Sequence, residues 1–371
     1  MRIEAIDVYW VRLPLAFVWR TSYGDQRDTD TILVRLEGAG QYAWGESCPP
    51  YVPGYSAEHT LATFHTVREH MAPRLIGQDV DSAEDLLARL AFIKGNQFAR
   101  AALDIAWWVL DARRRGLPLH RALGGTRDRV AVGADFGVQD SIDILLAKIQ
   151  GAIDQGFPRI KLKFRPGWDL PMVEAVRSTF PRFTFHVDCN AAYTLADADI
   201  FRALDRHGLA MIEQPLADDG MSLLDHAELQ RRIDTPVCLD ESAHSLAHVQ
   251  AAIRLGSCKV VNIKMARVGG LTASRDIQAL CAEHGIPCWV GGMLESAIGG
   301  AICAELATLP NFTYPGDIFP SSYFYQHDLG KPEIVLSGPG EVATSRVPGI
   351  PQEPDADLLK RWTVEHASFR V

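Results

Sequence analysis

The sequence has no paired cysteines: its seven cysteines form no C-x-x-C motif. An odd number of scattered cysteines argues against a disulfide framework and favours reduced thiols. The first residues, Met1 to Glu4, also lack the apolar core of a secretory signal peptide. These absences predict a cytoplasmic protein.

Long runs of a single residue class are also missing. No stretch of 18 apolar residues occurs, so a membrane span is not expected. No long Lys/Arg-rich run is present and the net charge is −9, so nucleic acid is not an expected partner. The 371 residues, 47% of them hydrophobic, suffice for two domains or for a barrel with a cap.

Two kinds of hydrophobic pattern divide the chain. Short alternating runs within residues 1–46 predict an antiparallel meander, and helical patterns follow to about residue 116. From about residue 126, short apolar runs alternate with helical patterns, which is typical of a parallel barrel. The first run lies near Val130–Phe136, and a weaker eighth lies near Phe312–Tyr314. We therefore predict an α/β protein: a TIM-type (β/α)7β barrel at 126–325 and an α+β capping domain at 1–125, completed by residues 326–371.

Charged residues end five successive apolar runs of the predicted barrel. Consecutive segments lie 24 to 27 residues apart, about one strand–helix unit, and their key residues are Lys163, Asp188, Glu213, Asp240 and Lys264. The carboxyl ends of barrel strands converge on one mouth, where such barrels place their active sites. We therefore expect three acids and two amines around one cavity.

The three acids predict a metal site. A single Asp or Glu is most often a surface carboxylate, but Asp188, Glu213 and Asp240 each follow a tight apolar run. Three carboxylates at one mouth repel each other unless a hard cation joins them. Ligation by oxygen alone favours Mg²⁺, or Mn²⁺, over zinc.

The lysines predict proton transfer. Lys161 and Lys163 share one strand face, and Lys264 reaches the cavity from the opposite side of the ring. Burial and a nearby cation are expected to lower a lysine pKa, which makes a neutral amine available to take a proton from carbon. A proton removed next to a carboxylate leaves an enediolate. Reprotonation on the other face gives racemisation, and loss of a leaving group gives elimination.

Several longer runs resemble the enolase superfamily, in its muconate-lactonising-enzyme-like subgroup, and more narrowly the o-succinylbenzoate synthase / N-succinylamino-acid racemase family. The resemblance covers nearly the whole chain. It is carried by Ile160-Lys161-Leu162-Lys163, Ile212-Glu213-Gln214-Pro215, Cys238-Leu239-Asp240-Glu241-Ser242, Arg267-Val268-Gly269-Gly270 and Gly291-Gly292-Met293-Leu294-Glu295.

The resemblance implies roles for single residues. It implies Mg²⁺ on the three acids, proton abstraction by Lys163, and stabilisation of the enediolate by Lys264, with Lys161 in support. Asn190 and Glu295 look like residues that hold the geometry, whereas Glu241 is expected to point away. A small-molecule carboxylate substrate and a homo-oligomer are implied as well.

Some positions depart from the family pattern at the predicted barrel mouth. Asp135 stands where the family usually has a small hydroxyl residue, and Gly300 where it usually has arginine. Tyr23, Asp135 and Met293 are therefore candidates for setting specificity, and the polar segment 20–28 is a candidate lid loop. The departures leave open the same chemistry on another carboxylate, as in a dipeptide epimerase, sugar-acid dehydratase or cycloisomerase. A non-catalytic metal-binding barrel is the alternative from another class.

Overall fold

The computed structural model describes residues 1–371. The first part of the chain contains three strands and five helices: β1 (Ala5–Arg20), β2 (Asp25–Gly38), β3 (Gln41–Ser47), α1 (Thr60–His65), a π-helical segment (Thr66–Met71), α2 (Ala72–Leu75), α3 (Ala83–Arg89), α4 (Gln97–Arg114) and α5 (Leu119–Leu123). The strands form an antiparallel meander that packs on α4. At Gly45 in β3 an added Cβ would lie 2.4 Å from the backbone nitrogen of Ala106, so only glycine permits this close approach.

The middle of the chain alternates strands and helices: β4 (Arg129–Ala131), β5 (Ala134–Phe136), α6 (Ile142–Asp154), β6 (Ile160–Lys163), α7 (Leu170–Thr179), β7 (Phe185–Asp188), a 3₁₀ turn (Leu195–Asp197), α8 (Ala198–Leu204), a second 3₁₀ turn (Asp205–His207), β8 (Ile212–Glu213), α9 (Ser222–Arg232), β9 (Val237–Leu239), α10 (Leu246–Leu255), β10 (Val260–Ile263), α11 (Met265–Val268), α12 (Leu271–Glu283), β11 (Cys288–Val290) and α13 (Ala297–Leu306). Strands β5 to β11 form one parallel sheet in chain order. Isolated parallel bridges, Cys288 to Phe312 and Val132 to Gly316, continue it beyond both edges.

The last part of the chain returns to the meander: α14 (Ser321–Phe324), β12 (Gly330–Lys331), β13 (Glu341–Ala343), β14 (Glu353–Pro354), α15 (Ala356–Trp362) and β15 (Thr363–Arg370). Strand β15 pairs with β1 as the outer strand of the amino-terminal sheet. The predicted fold class, a barrel with an antiparallel capping unit, is confirmed. The domain boundaries at 125 and 325 stay a prediction.

Three local features differ from the sequence predictions. Segment 20–28 is not a long loop, because β1 runs to Arg20 and β2 begins at Asp25, which leaves a four-residue turn. The predicted first barrel strand is divided, since β4 pairs with β13 and only β5 joins the barrel sheet. The predicted eighth strand near residues 312–314 contributes an isolated bridge rather than a regular strand.

Register places the charged residues in layers inside the barrel. Lys163 lies opposite Asp188, which lies opposite Glu213, at the carboxyl ends of β6, β7 and β8. One layer deeper, Lys161 lies between Asp135 and His186. Apolar and aromatic side chains close the interior below: Met211, Cys238, Val260, Trp289 and Tyr314. The barrel therefore has a filled floor and a charged mouth.

Candidate active site

The three predicted lysines line one cavity of about 600 Å³ between the barrel mouth and the cap. Lys161 and Lys163 reach it from β6, because residues two apart share a strand face, and Lys264 reaches it from the end of β10. Lys163 Nζ lies 2.6 Å from Asp188 Oδ2, and Lys264 Nζ lies 2.8 Å from Asp240 Oδ2. Both amines therefore point inward, each beside a predicted metal ligand.

The predicted ligand carboxylates are almost fully buried at the ends of neighbouring strands. Glu213 accepts hydrogen bonds from Asn262 Nδ2 at 2.7 Å and from His186 Nε2 at 3.2 Å. Asp240 accepts from Tyr55 Oη at 3.1 Å and forms a close ion pair with Arg267. Partners on other strands and on the cap therefore orient these acids.

No group of three His, Cys, Asp or Glu side chains converges directly on a common point for a metal. Cationic side chains hold the oxygens instead, and Lys161 Nζ lies 3.6 Å from Asp188 Oδ2 and 3.9 Å from Glu213 Oε2. The roles of Asp188, Glu213 and Asp240 as metal ligands therefore stay a prediction.

The chemistry of these residues fits a hard divalent cation. Seven buried carboxyl groups lie at the mouth and in the layer below it, namely Asp135, Asp188, Glu213, Asp240, Glu241, Glu295 and Asp317. Burial raises the pKa of three of them, Asp135, Glu241 and Glu295. Further positive charge at the mouth, such as a divalent ion, would favour their ionised forms. Buried oxygens of Asn190, Glu241 and Asn262 also lack hydrogen-bond partners. Hard cations take such oxygen ligands.

The pKa of each lysine moves in the opposite direction from the one expected. Burial is the largest influence on the pKa of Lys163 and lowers it, but the surrounding acidic groups, Asp188 foremost, together outweigh burial and the pKa is raised. Burial likewise lowers the pKa of Lys264, while Tyr55 and Glu241 raise it well above its usual value. Neutral amines were expected beside a bound cation, so they stay a prediction; in the protein alone, the surrounding acids, which that expectation did not count, raise the pKa of each lysine.

Glu241 was expected to point away from the site, but in the structure its side chain contacts a residue of the site. Its Oε1 accepts from Asn190 Nδ2 at 3.1 Å, and Asn190 lines the cavity. Burial, followed by the charge of Asp188, raises the pKa of Glu241 to about 8. Regular strand β9 ends at Leu239, so the alternation of faces no longer holds at Glu241.

A deeper ion-pair group was not predicted. Asp317 accepts from Lys161 Nζ at 2.5 Å and pairs closely with Arg159, which is fully buried. Burial raises the pKa of Asp317, but Arg159 and Lys161 outweigh it and lower the pKa to about 2. Side chains alternate between the two faces along β6, and Arg159 precedes Lys161 and Lys163 on the same face. That alternation could have identified Arg159 from the sequence. Asp317 had no such signal, because it follows no regular strand.

The predicted specificity residues contribute to one cavity, at different depths. Tyr23, Asp135 and Met293 all line the cavity with the lysines. Glu295 lies next to it, and its Oε2 accepts from the backbone nitrogen of Met293 at 2.9 Å. Burial raises the pKa of Glu295 to about 7. Glu295 therefore supports the segment that carries Met293.

The cap contributes residues that no short sequence pattern indicates. The ring of Tyr55 lies 4.7 Å from Lys264 Nζ, and its hydroxyl accepts from Arg267 at 2.9 Å. Ser22 Oγ donates to the carbonyl oxygen of Asn190 at 3.1 Å, which joins the β1–β2 turn to the mouth. The cap therefore closes the site and orients its charged groups.

Non-glycine residues with positive φ cluster at the same mouth. Asn190 has φ 43°, Gln214 has φ 34° and Leu294 has φ 60°, each just after a barrel strand or near one. Such conformations cost free energy and tend to occur where function requires a particular side-chain direction.

The match to known families covers both halves of the chain. Residues 5–124 match the family "Mandelate racemase / muconate lactonizing enzyme, N-terminal domain", and residues 145–358 match "Enolase C-terminal domain-like". No helix has the length and apolar character that crossing a membrane requires.

Individual relatives match along nearly their whole length. The chain is 41% identical to an o-succinylbenzoate synthase of Geobacillus kaustophilus over 98% of this chain and 96% of the relative. It is also 41% identical to an N-succinylamino acid racemase of Amycolatopsis sp, covering 98% of each chain. The crystal structure of an enolase-superfamily protein from Listeria innocua superposes with a TM-score of 0.94 at 33% identity, over 100% of this chain and 99% of that one. The resemblance noted in the sequence is thus confirmed, and the chain belongs to the mandelate racemase / muconate lactonizing enzyme family of the enolase superfamily.

Proposed function

We propose that the protein removes a proton α to a carboxylate in a Mg²⁺-dependent reaction, as an o-succinylbenzoate synthase, an N-succinylamino-acid racemase, or both. The observation that carries the proposal is the opposed pair of lysines in one cavity. Lys163 enters from β6 and Lys264 from β10, each within 2.8 Å of a buried aspartate oxygen.

The two lysines have different roles because they lie on opposite sides of the substrate. A substrate carbon held between them presents one face to Lys163 and the other to Lys264. Lys163 would act as a neutral amine, a form that positive charge on Asp188 favours by removing the influence that raises the lysine pKa. It takes the α-proton, and in a dehydration it then returns the proton to the departing oxygen. Lys264 stabilises the enediolate in the dehydration, or delivers a proton to the opposite face in a racemisation. Positioned acids and bases of this kind contribute about 10²- to 10⁴-fold to a rate.

Asp188, Glu213 and Asp240 would hold the Mg²⁺, or Mn²⁺. The ion would supply positive charge where negative charge develops on the substrate carboxylate. Asn262 and His186 keep the two Glu213 oxygens in place, and Tyr55 does so for Asp240. Lys161, surrounded by four carboxylates, adds a fixed positive charge below the site.

The names of the two 41%-identical relatives favour succinyl-bearing substrates. A second candidate keeps the chemistry and changes the substrate, as in a dipeptide epimerase, a sugar-acid dehydratase or a cycloisomerase. Asp135 favours that alternative, because a buried carboxylate at the cavity wall would repel an acidic distal group.

The test is to incubate the protein and Mg²⁺ with N-succinyl-L-amino acids in D₂O and to follow the α-proton by NMR, with the substrate of o-succinylbenzoate synthases assayed in parallel. The proposal expects exchange with inversion, dehydration, or both. Activity confined to other carboxylates would favour the second candidate. An activity that Lys163→Ala left intact would remove Lys163 from the mechanism, and Mg²⁺ binding without activity on any carboxylate would favour the non-catalytic metal-binding barrel.

The proposal also covers the partners, the oligomeric state and the location of the protein. The partner is a small-molecule carboxylate rather than nucleic acid or a membrane, and we expect a homo-oligomer. All seven cysteines are unpaired and buried, which supports a reducing, cytoplasmic location.

A further inference from the structure

One oxygen of Asp135 is buried at the cavity wall without a hydrogen-bond partner. The residue is 5% exposed; its Oδ2 lies 3.3 Å from Lys161 Nζ, whereas Oδ1 has no donor. A buried acceptor left unpaired costs about 1–3 kcal/mol. Lys161 does not remove that cost, because its closest contact is Asp317 at 2.5 Å.

Asp135 also lines a second, outer pocket of about 790 Å³. This outer pocket lies between the first barrel strand, helix α6 and the cap, and its walls are mainly aromatic: Phe17, Trp19, Phe136, Phe157 and Tyr323. Its rim carries Gln139 and Lys148, whose side chains are hydrogen-bonded to each other at 2.7 Å. Asp135 and Trp19 belong to both cavities, so they form the wall between the reacting centre and the outer pocket.

We propose that the outer pocket is an accessory subsite for the distal arm of the substrate. The arm is an acyl group longer than succinyl, with an internal N–H that donates to Asp135 Oδ1 and an apolar end group among the aromatic side chains. Asp135 Oδ1 would favour an arm with an N–H donor, and the aromatic side chains would favour an apolar end group. The inference rests on the proposed function, since the arm extends from the carboxylate that the lysines act on.

Three compounds test the chemistry of the arm. One is L-phenylalanine acylated with a phenylacetylglycyl group, which supplies an internal amide N–H and a phenyl end. The second is its ester analogue, in which oxygen replaces that N–H, and the third is N-succinyl-L-phenylalanine. Calorimetric binding in the presence of Mg²⁺ is expected to favour the amide over the ester by about 10- to 100-fold, the usual range for a hydrogen bond to a charged acceptor.

Variants at Asp135 test the acceptor. Asp135→Leu is expected to abolish the amide-over-ester preference, while Asp135→Asn, which keeps an acceptor oxygen, retains part of it. A merely structural role would weaken all three compounds equally and leave the ratio unchanged. A ratio near one in the unmodified protein, or a ratio that survives Asp135→Leu, would overturn the proposal.

Helix α6 offers a way to fill the outer pocket without touching the lysines. Gly151 lines it, and a Cβ added there meets nothing within 4 Å. Gly151→Phe is expected to weaken binding of the phenyl-ended amide at least about 10-fold and to spare N-succinyl-L-phenylalanine. Gly151→Ala is the matched control, Gly151→Leu is a second filling variant, and thermal unfolding checks that each folds. Equal effects on both compounds would contradict the proposal.

Binding and turnover separate this inference from the proposed function. Selective binding of the amide without any α-proton exchange would refute the proposed reaction and support the subsite. Exchange of N-succinyl-L-phenylalanine without amide selectivity would do the opposite.

Discussion

Replacing one lysine at a time should distinguish the proton transfers on the two faces of the substrate carbon. In Lys163→Ala the α-proton that faces β6 loses its acceptor, while Lys264 stays 2.8 Å from Asp240 on the other side. We expect exchange of one enantiomer in D₂O to fall by about 10²- to 10⁴-fold, equivalent to about 3–5 kcal/mol in the barrier. The other enantiomer should still exchange through Lys264, without inversion. Lys264→Ala should show the mirror-image result.

The structure indicates that the loss is chemical rather than structural. Removing Lys163 leaves Asp188 with Lys161, whose Nζ lies 3.6 Å away, so the buried carboxylate keeps one positive neighbour. Lys259, an exposed residue just before β10, gives the control variant Lys259→Ala, which should exchange both enantiomers normally. NMR of the α-proton for each enantiomer is the assay. Loss of the same enantiomer in both variants, or inversion that survives either one, would refute the opposed arrangement.

Three further predictions concern metal affinity, pH and packing. Asn262→Leu removes the donor to Glu213 Oε1 and should weaken Mg²⁺ binding by about 10- to 100-fold in calorimetry; unchanged affinity would contradict the role of that contact. Burial raises the pKa of Asp104 to about 7, above the unfolded value of about 4, so the folded state keeps a proton that the unfolded state loses. The contribution of Asp104 to the free energy of unfolding should be complete below pH 4 and should fall by up to about 4 kcal/mol as the pH rises to 7. In denaturant unfolding, the free energy of Asp104→Asn should therefore depend less on pH than that of the unmodified protein. Gly45→Ala should destabilise the protein by about 1–3 kcal/mol or more, because the added methyl group overpacks against α4. The control Gly220→Ala, where a Cβ meets nothing within 4 Å, should change stability little. Equal melting temperatures of the two variants would refute the packing argument.

Periodicity made the inner faces of regular strands predictable. Two-residue spacing put Lys161 and Lys163 on one face, and repeat spacing brought Asp188 and Glu213 to the same mouth, because register in a parallel barrel follows the strand–helix repeat. The same argument failed for Glu241, where β9 has already ended, and for Asp317, which follows no regular strand.

Contacts between distant parts of the chain were beyond sequence reasoning. Tyr55 reaches Asp240 across 185 positions, and no local pattern in the cap marks it as part of the site. Segment 20–28 looked like a loop because its residues are polar. In the structure they extend β1 and β2 beyond the packed part of the sheet, where no buried face imposes alternation. The lysine pKa directions depended on the number of surrounding acids, which only the assembled mouth reveals.

The central claim is that Asp188, Glu213 and Asp240 share one divalent ion between the two lysines. Anomalous diffraction from crystals grown with Mn²⁺ tests it most directly. The account predicts a single strong peak within about 2.0–2.3 Å of one oxygen from each carboxylate, with Lys163 and Lys264 on either side of the cavity beyond it. A peak elsewhere, or none at these carboxylates at saturating Mn²⁺, would contradict it.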